Sequence, residues 1–158
     1  MKLKEYPISF INSLKLLSIP IEKLNDNRNS IPVIVSLTTI ASRLSKVHIT
    51  LRSVMNQSVK PEKIILWINE NDREKIPPTL SKLTGSLLEI KFTPHKSSHK
   101  KLIPTLEMFP NKIIVTCDDD LIYEKKWLEK LYETHLKFPK DIICNKARRI
   151  GLYNQNEL

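Results

Sequence analysis

Apolar positions along this chain fall into short β-branched runs, separated by stretches where apolar residues recur every three or four positions. The run over residues 31–39 (Ile-Pro-Val-Ile-Val-Ser-Leu-Thr-Thr) is β-branched and apolar with its proline at the start, which predicts a buried strand. Over residues 47–55, Val47, Leu51, Val54 and Met55 share one face of a predicted helix. Lys60-Pro61-Glu62 reads as a turn, and residues 64–68 as a second buried strand. Ile76-Pro77-Pro78 opens a short helix through Leu83, which Gly85 ends. Residues 87–92 predict a third strand, 102–108 a short helix and 113–117 a fourth strand. Leu128, Leu131, Tyr132 and Leu136 repeat at helical spacing over residues 127–136, and residues 141–144 begin a fifth strand.

Strands apolar on both faces and alternating with helices make βαβ units. The expected fold is therefore α/β, with a mostly parallel sheet and helices on both faces. Ligands of such sheets sit beyond the carboxyl ends of the strands. The positions to question follow Thr39, Ile68, Phe92, Cys117 and Cys144.

Residues 1–30 stand outside this pattern. A polar loop over residues 25–30 separates them from a domain spanning residues 31–158. Ile8, Ile11, Leu14 and Leu17 lie three apart, with Lys15 and Glu22 interrupting. Two readings stand: a helix or arm packed on the domain, or a basic surface helix touching membrane or partner through Lys2, Lys4 and Lys15.

Composition then removes some possibilities. A typical glycine share of about 7% would place roughly 11 glycines in a chain this long. There are two, Gly85 and Gly151. Rossmann, Walker A and kinase loops each need clustered glycines, so none is present. The chain has 158 residues, 27% charged and 41% hydrophobic, as expected of one globular domain. Its 26 Lys+Arg against 17 Asp+Glu, a net charge of +9, favour an anionic partner: nucleic acid, a nucleotide or an acidic membrane surface. Cys117 and Cys144 are too few for a disulfide framework and read as reduced core residues. No signal peptide is apparent, and the longest apolar run, residues 64–68, falls far short of the roughly 20 residues of a membrane span. The expected compartment is the cytoplasm.

Candidate chemistry concentrates after the fourth strand, at Asp118-Asp119-Asp120. Adjacent carboxylates repel one another, and Mg²⁺ or Mn²⁺ relieves that repulsion with oxygen ligands it prefers. Alternate residues of an extended segment point the same way. Asp118 and Asp120 are thus expected to converge while Asp119 points elsewhere. A helix-capping acidic loop is the other reading.

The segment from Ile113 to Tyr123, followed by Trp127-Leu128-Glu129, resembles the strand–DxD–helix passage of GT-A-fold glycosyltransferases. The opening from Ile31 through Leu44 looks like the first strand and loop of bacterial members akin to glycosyltransferase family 2. Asn56-Gln57-Ser58 and the passage from Pro61 to Leu66 resemble that family's route from helix to second strand. The likeness covers roughly residues 31–150.

It implies a metal-dependent transfer of a sugar from a nucleotide-diphosphate sugar, expected to be a UDP-sugar, to a glycan or lipid-linked acceptor. By resemblance Asp118 contacts the nucleotide-sugar, and Asp120 holds a Mn²⁺ or Mg²⁺ ion on the diphosphate, with Asp118 as a second ligand. Asp119, Thr39, Arg43 and Lys101 are expected around the donor, with Lys100 beside Lys101. A salt-bridging role for Arg43 and a plain surface pair for the lysines stay open. Asn69 and Glu70 stand where the family often holds an acidic base- or ribose-binding residue, though the usual Asp-Asp-Gly-Ser is absent. Arg148 and Arg149 are candidates for diphosphate or an anionic acceptor. His95 and His99 read as surface-loop residues. The resemblance favours inverting, hexosyltransferase-like chemistry. Its general base lies well downstream of the DxD, so this chain is expected to be a short or truncated, donor-binding half. Peripheral contact with the inner face of a membrane through the basic surface, and no nucleic-acid partner, complete these expectations.

Three other readings compete. A basic nucleic-acid module would need lysines clustered with exposed aromatics; aromatics are only 6% and the lysines are spread out. A nucleotidyltransferase usually carries a glycine- and arginine-rich loop after the first strand, which residues 38–43 lack. An inactive interaction protein retaining the fold would not need Asp118 and Asp120.

Overall fold

A computed structural model of the chain describes residues 6–26 and 29–146. Arg148, Arg149, Lys2 and Lys4 lie outside the described residues. Helices α1 (Tyr6–Leu17) and α2 (Ile21–Leu24) precede strand β1 (Ser30–Thr38). Then come α3 (Val47–Met55), β2 (Lys60–Asn69), α4 (Pro78–Ser81), β3 (Leu88–Thr93), α5 (Ile103–Met108), β4 (Ile113–Thr116) and α6 (Trp127–Lys137). Tight 3₁₀ turns at Ala41–Arg43, Glu70–Lys75 and Ser98–Lys101 follow three strand ends.

The four strands form one parallel sheet in the order β3-β2-β1-β4. Central β1 and β2 read as continuous apolar runs because both of their faces are covered. Val33, Val35 and Leu37 of β1, with Ile64, Leu66 and Ile68 of β2, face the main core. There Leu51, Val54 and Met55 of α3, Leu80 of α4 and Trp127 and Leu128 of α6 cover them. The alternate residues Ile34, Ile65 and Trp67 face the other way, into a small cluster with Phe109 and Ile114. Polar groups complete that thinner layer. Trp67 Nε1 donates to Thr105 Oγ1 at 2.7 Å, and Ser36 Oγ lies 2.8 Å from the same hydroxyl.

The structure departs from the expected elements at several points. Pro61 pairs with Ile31 inside β2 rather than turning the chain. It sits one residue into the strand, at the sheet's end, where a missing N–H costs least. Residues 141–146 are irregular, so the fifth strand over 141–144 does not form. Asp141 N instead closes a turn onto Phe138 O at 3.1 Å, and Ile142 is 98% exposed, so no burial rewards extension. Cys144 is accordingly exposed, not a core residue; Cys117 is buried, and neither is in a disulfide. On α1 three members of the three-apart row, Ile11, Leu14 and Leu17, are exposed, and Leu16 packs inward; the side chain of Ile8 lies outside the described ones.

Candidate donor-binding site

All four strands point their carboxyl ends to one edge of the sheet. Thr39, Glu70, Pro94 and Cys117 are the first residues past the four strands at that edge. A cleft of about 210 Å³ opens there, lined by Thr39, Arg43, Lys100, Lys101, Asp118 and Asp119 among others.

Asp119 is the buried member of the acidic triplet, 9% exposed. Thr39 Oγ1 donates to its Oδ2 at 2.6 Å, and Arg43 Nη1 to its Oδ1 at 2.7 Å. Thr50 Oγ1 donates to its backbone oxygen at 2.9 Å. A carboxylate taken out of water needs such donors. The same Arg43 nitrogen lies 3.3 Å from Asp120 Oδ2. Its hydrogen bond to Asp119, with the charges of Asp119 and Asp120, raises the Arg43 pKa.

Asp118 and Asp120 face solvent, with side chains 64% and 54% exposed. Lys101 Nζ is 2.8 Å from Asp118 Oδ1. Neighbouring Lys100 is buried, its ammonium donating to Thr39 O at 3.1 Å, and that burial lowers its pKa. The triplet's three carboxylates thus face three cations, Arg43, Lys100 and Lys101, from the other strand ends.

The loop bearing the triplet is clipped along α3. Thr50 takes the backbone of Asp119, Ser53 Oγ accepts from Tyr123 N at 3.0 Å, and Gln57 reaches further. Gln57 Nε2 donates to Glu124 O at 2.8 Å, and its Oε1 accepts from Leu128 N at 2.9 Å. Tyr123 folds its hydroxyl back to accept from Asp118 N at 2.8 Å, while its ring lies 4.3 Å from that of Trp127. Burial raises the Tyr123 pKa. Sequence reasoning quoted Asn56-Gln57-Ser58 as a likeness but gave Thr50, Ser53 and Gln57 no task. The available signal was polar residues at 50, 53 and 57 interleaved with the apolar positions 47, 51, 54 and 55 on and just past α3.

Other expected site residues lie apart. Asn69 is turned inward, accepting from Asn71 N at 3.1 Å and donating to Pro94 O and His95 O at 3.2 and 3.3 Å. It braces the β2 and β3 ends. Glu70 is exposed and does not line the cleft. His95 and His99 lie in an exposed loop. Among the described residues no three His, Cys, Asp or Glu side chains gather closely enough to hold a metal by themselves. Two solvent-facing carboxylates that already draw cations within 3.3 Å can nevertheless supply part of a divalent ion's oxygen shell.

The chain matches the model of the glycosyl transferase family 2 over residues 39–156. No curated protein matches it. Among the described residues no helix is long and apolar enough to cross a membrane.

Proposed function

The chain belongs to glycosyl transferase family 2, a family of nucleotide-sugar glycosyltransferases with a GT-A-type α/β fold, and from that premise we propose that it binds a UDP-sugar with Mn²⁺ or Mg²⁺ at the acidic edge. The sugar then passes to a glycan or lipid-linked acceptor with inversion. What carries this reading is one observation: Asp118, Asp119 and the cations Arg43, Lys100 and Lys101 line one cleft at the carboxyl edge of the sheet, and Arg43 also reaches Asp120.

In this reading Asp120 and Asp118 would hold the divalent ion, which as a Lewis acid would offset charge on the diphosphate leaving group. Asp119 does different work. Held by Thr39, Arg43 and Thr50, it fixes the loop that carries its two solvent-facing neighbours. Lys101 and Lys100 supply positive charge for the diphosphate, in place of the backbone amides a glycine loop would offer. Arg43 is shared between orienting Asp119 and approaching the donor. No described residue is assigned as general base, and the proposed share of this chain is donor binding.

Calorimetric titration of the chain with UDP tests this, with Mn²⁺, with Mg²⁺ and with EDTA. Binding is expected only with a metal, and a thermal stabilisation of about 2.7 kcal/mol at a hundredfold excess over Kd. Asp120→Ala is expected to remove the metal-dependent part. Absence of UDP or UDP-sugar binding with either metal overturns the reading.

A further inference from the structure

Among the described residues, an apolar stripe without a partner runs along α1. The inward side of that helix is already occupied. Leu16 is buried, and the Arg52 guanidinium of α3 donates to Leu16 O and Ile19 O at 3.0 and 2.9 Å. The C-terminal end of α1 is thereby tied to the domain. At 3.6 residues per turn, Leu17, Phe10, Leu14 and Ile11 fall within about 120° on the opposite side. They are 44%, 66%, 51% and 50% exposed. Single exposed apolar residues are ordinary on a protein surface, whereas a contiguous stripe of large ones marks an interaction site.

Charge decides what the stripe fits. Lys15 is exposed at its margin, α1 contains no acidic residue, and Lys2 and Lys4 precede it in sequence. The chain as a whole carries +9. Two copies meeting stripe to stripe would bring their Lys15 ammonium groups and their net charges together. An anionic lipid surface gains from both. The helix also lies ahead of residue 39, where the family match begins, so the stripe is separate from the donor cleft.

We propose that α1 is an interfacial helix that lies flat in the headgroup layer of an anionic bilayer. Phe10, Ile11, Leu14 and Leu17 enter the upper acyl region, and Lys15 extends to the lipid phosphates. Because Arg52 ties α1 to α3, and Thr50 of α3 holds Asp119, the membrane contact and the donor cleft share one rigid support.

The test is co-sedimentation of the full chain with vesicles of phosphatidylcholine alone or mixed with phosphatidylglycerol. Wild type is expected to sediment with the anionic vesicles at low salt and to be released as salt rises. Phe10→Ser/Leu14→Ser is expected to lower that partitioning by about tenfold or more. Lys15→Glu is expected to weaken it less, and only at low salt. In Phe10→Trp the indole emission is expected to move to shorter wavelength on adding anionic vesicles, a readout independent of the destabilising pair. No vesicle needs the nucleotide, so this outcome stands apart from that of the UDP titration. The proposal is overturned if wild type stays in the supernatant, if the paired variant partitions equally, or if the Trp emission does not move. A dimer in analytical ultracentrifugation that the paired variant abolishes overturns it in favour of a second copy.

Discussion

Arg43 faces two carboxylates with one guanidinium, and Lys101 covers the third, so the cleft carries its own counter-ions. On the proposed reading, a divalent ion at Asp118 and Asp120 would displace those cations, and a diphosphate would give them a new anion. Metal and diphosphate would then favour each other's binding, since the cations released by one would be taken by the other. Lys101→Ala is expected to tighten Mn²⁺ binding in the absence of nucleotide while weakening UDP in its presence. Each change is roughly 1 kcal/mol, or about fivefold, the upper range for an exposed ion pair. Titrations of the two ligands separately check it, and equal loss of both affinities contradicts the exchange. At this scale the acidic triplet was legible in the sequence, because three neighbouring carboxylates at a strand end are conspicuous. The division of labour within it was not. Asp119 turns inward as expected of the middle residue, but its buried role depends on Thr39, Arg43 and Thr50, which lie 69 to 80 residues away.

Helix α3 links core and site through opposite chemistries on one buried surface. Leu51, Val54 and Met55 pack on the sheet, while Thr50, Ser53 and Gln57 hold the acidic loop and the start of α6. Gln57, just past the helix end, makes the longest reach and is 3% exposed. Gln57→Ala strands the buried Leu128 N, while Glu124 O keeps its bond from Trp127 N, a cost of about 2–3 kcal/mol. For a chain of this size that lowers Tm by roughly 5–10 °C. UDP binding is expected to weaken as well, because Glu124 and Tyr123 lie in the stretch that carries Asp118 to Asp120. Thermal melts paired with titration check both, and a variant with wild-type Tm contradicts the assignment. The apolar positions of α3 were legible from their helical period. The polar ones were not, because a hydrogen bond to a loop some seventy residues on leaves no local periodicity.

Across the whole molecule the sheet is unequally supported. β1 has strands on both sides and a core against each face, whereas β4 is paired with β1 alone among the described residues. Beyond β4 an open groove of about 850 Å³ runs between α6 and residues 141–146. Native-state hydrogen exchange is expected to rank the strands accordingly. Amides of β1 and β2 exchange only on global unfolding, and those of β4 at least about tenfold sooner, roughly 1.4 kcal/mol lower in opening energy. Equal protection in β1 and β4 contradicts this ranking.

Hydrophobic periodicity alone was enough for the alternation of strands and helices, for parallel pairing, and so for the edge where chemistry belongs. Those follow from local chain geometry, since period and burial are written in neighbouring residues. Three outcomes depended on contacts between distant segments. Residues 141–144 have strand-like apolar character but remain irregular, because a strand exists only with a ladder partner. The apolar row on α1 looks like a packing face, yet Arg52 seats the helix on its other side. The scarcity of glycine excluded one phosphate-binding device. Only the folded sheet brought Arg43, Lys100 and Lys101 beside the triplet, the cations that the proposed function uses in its stead.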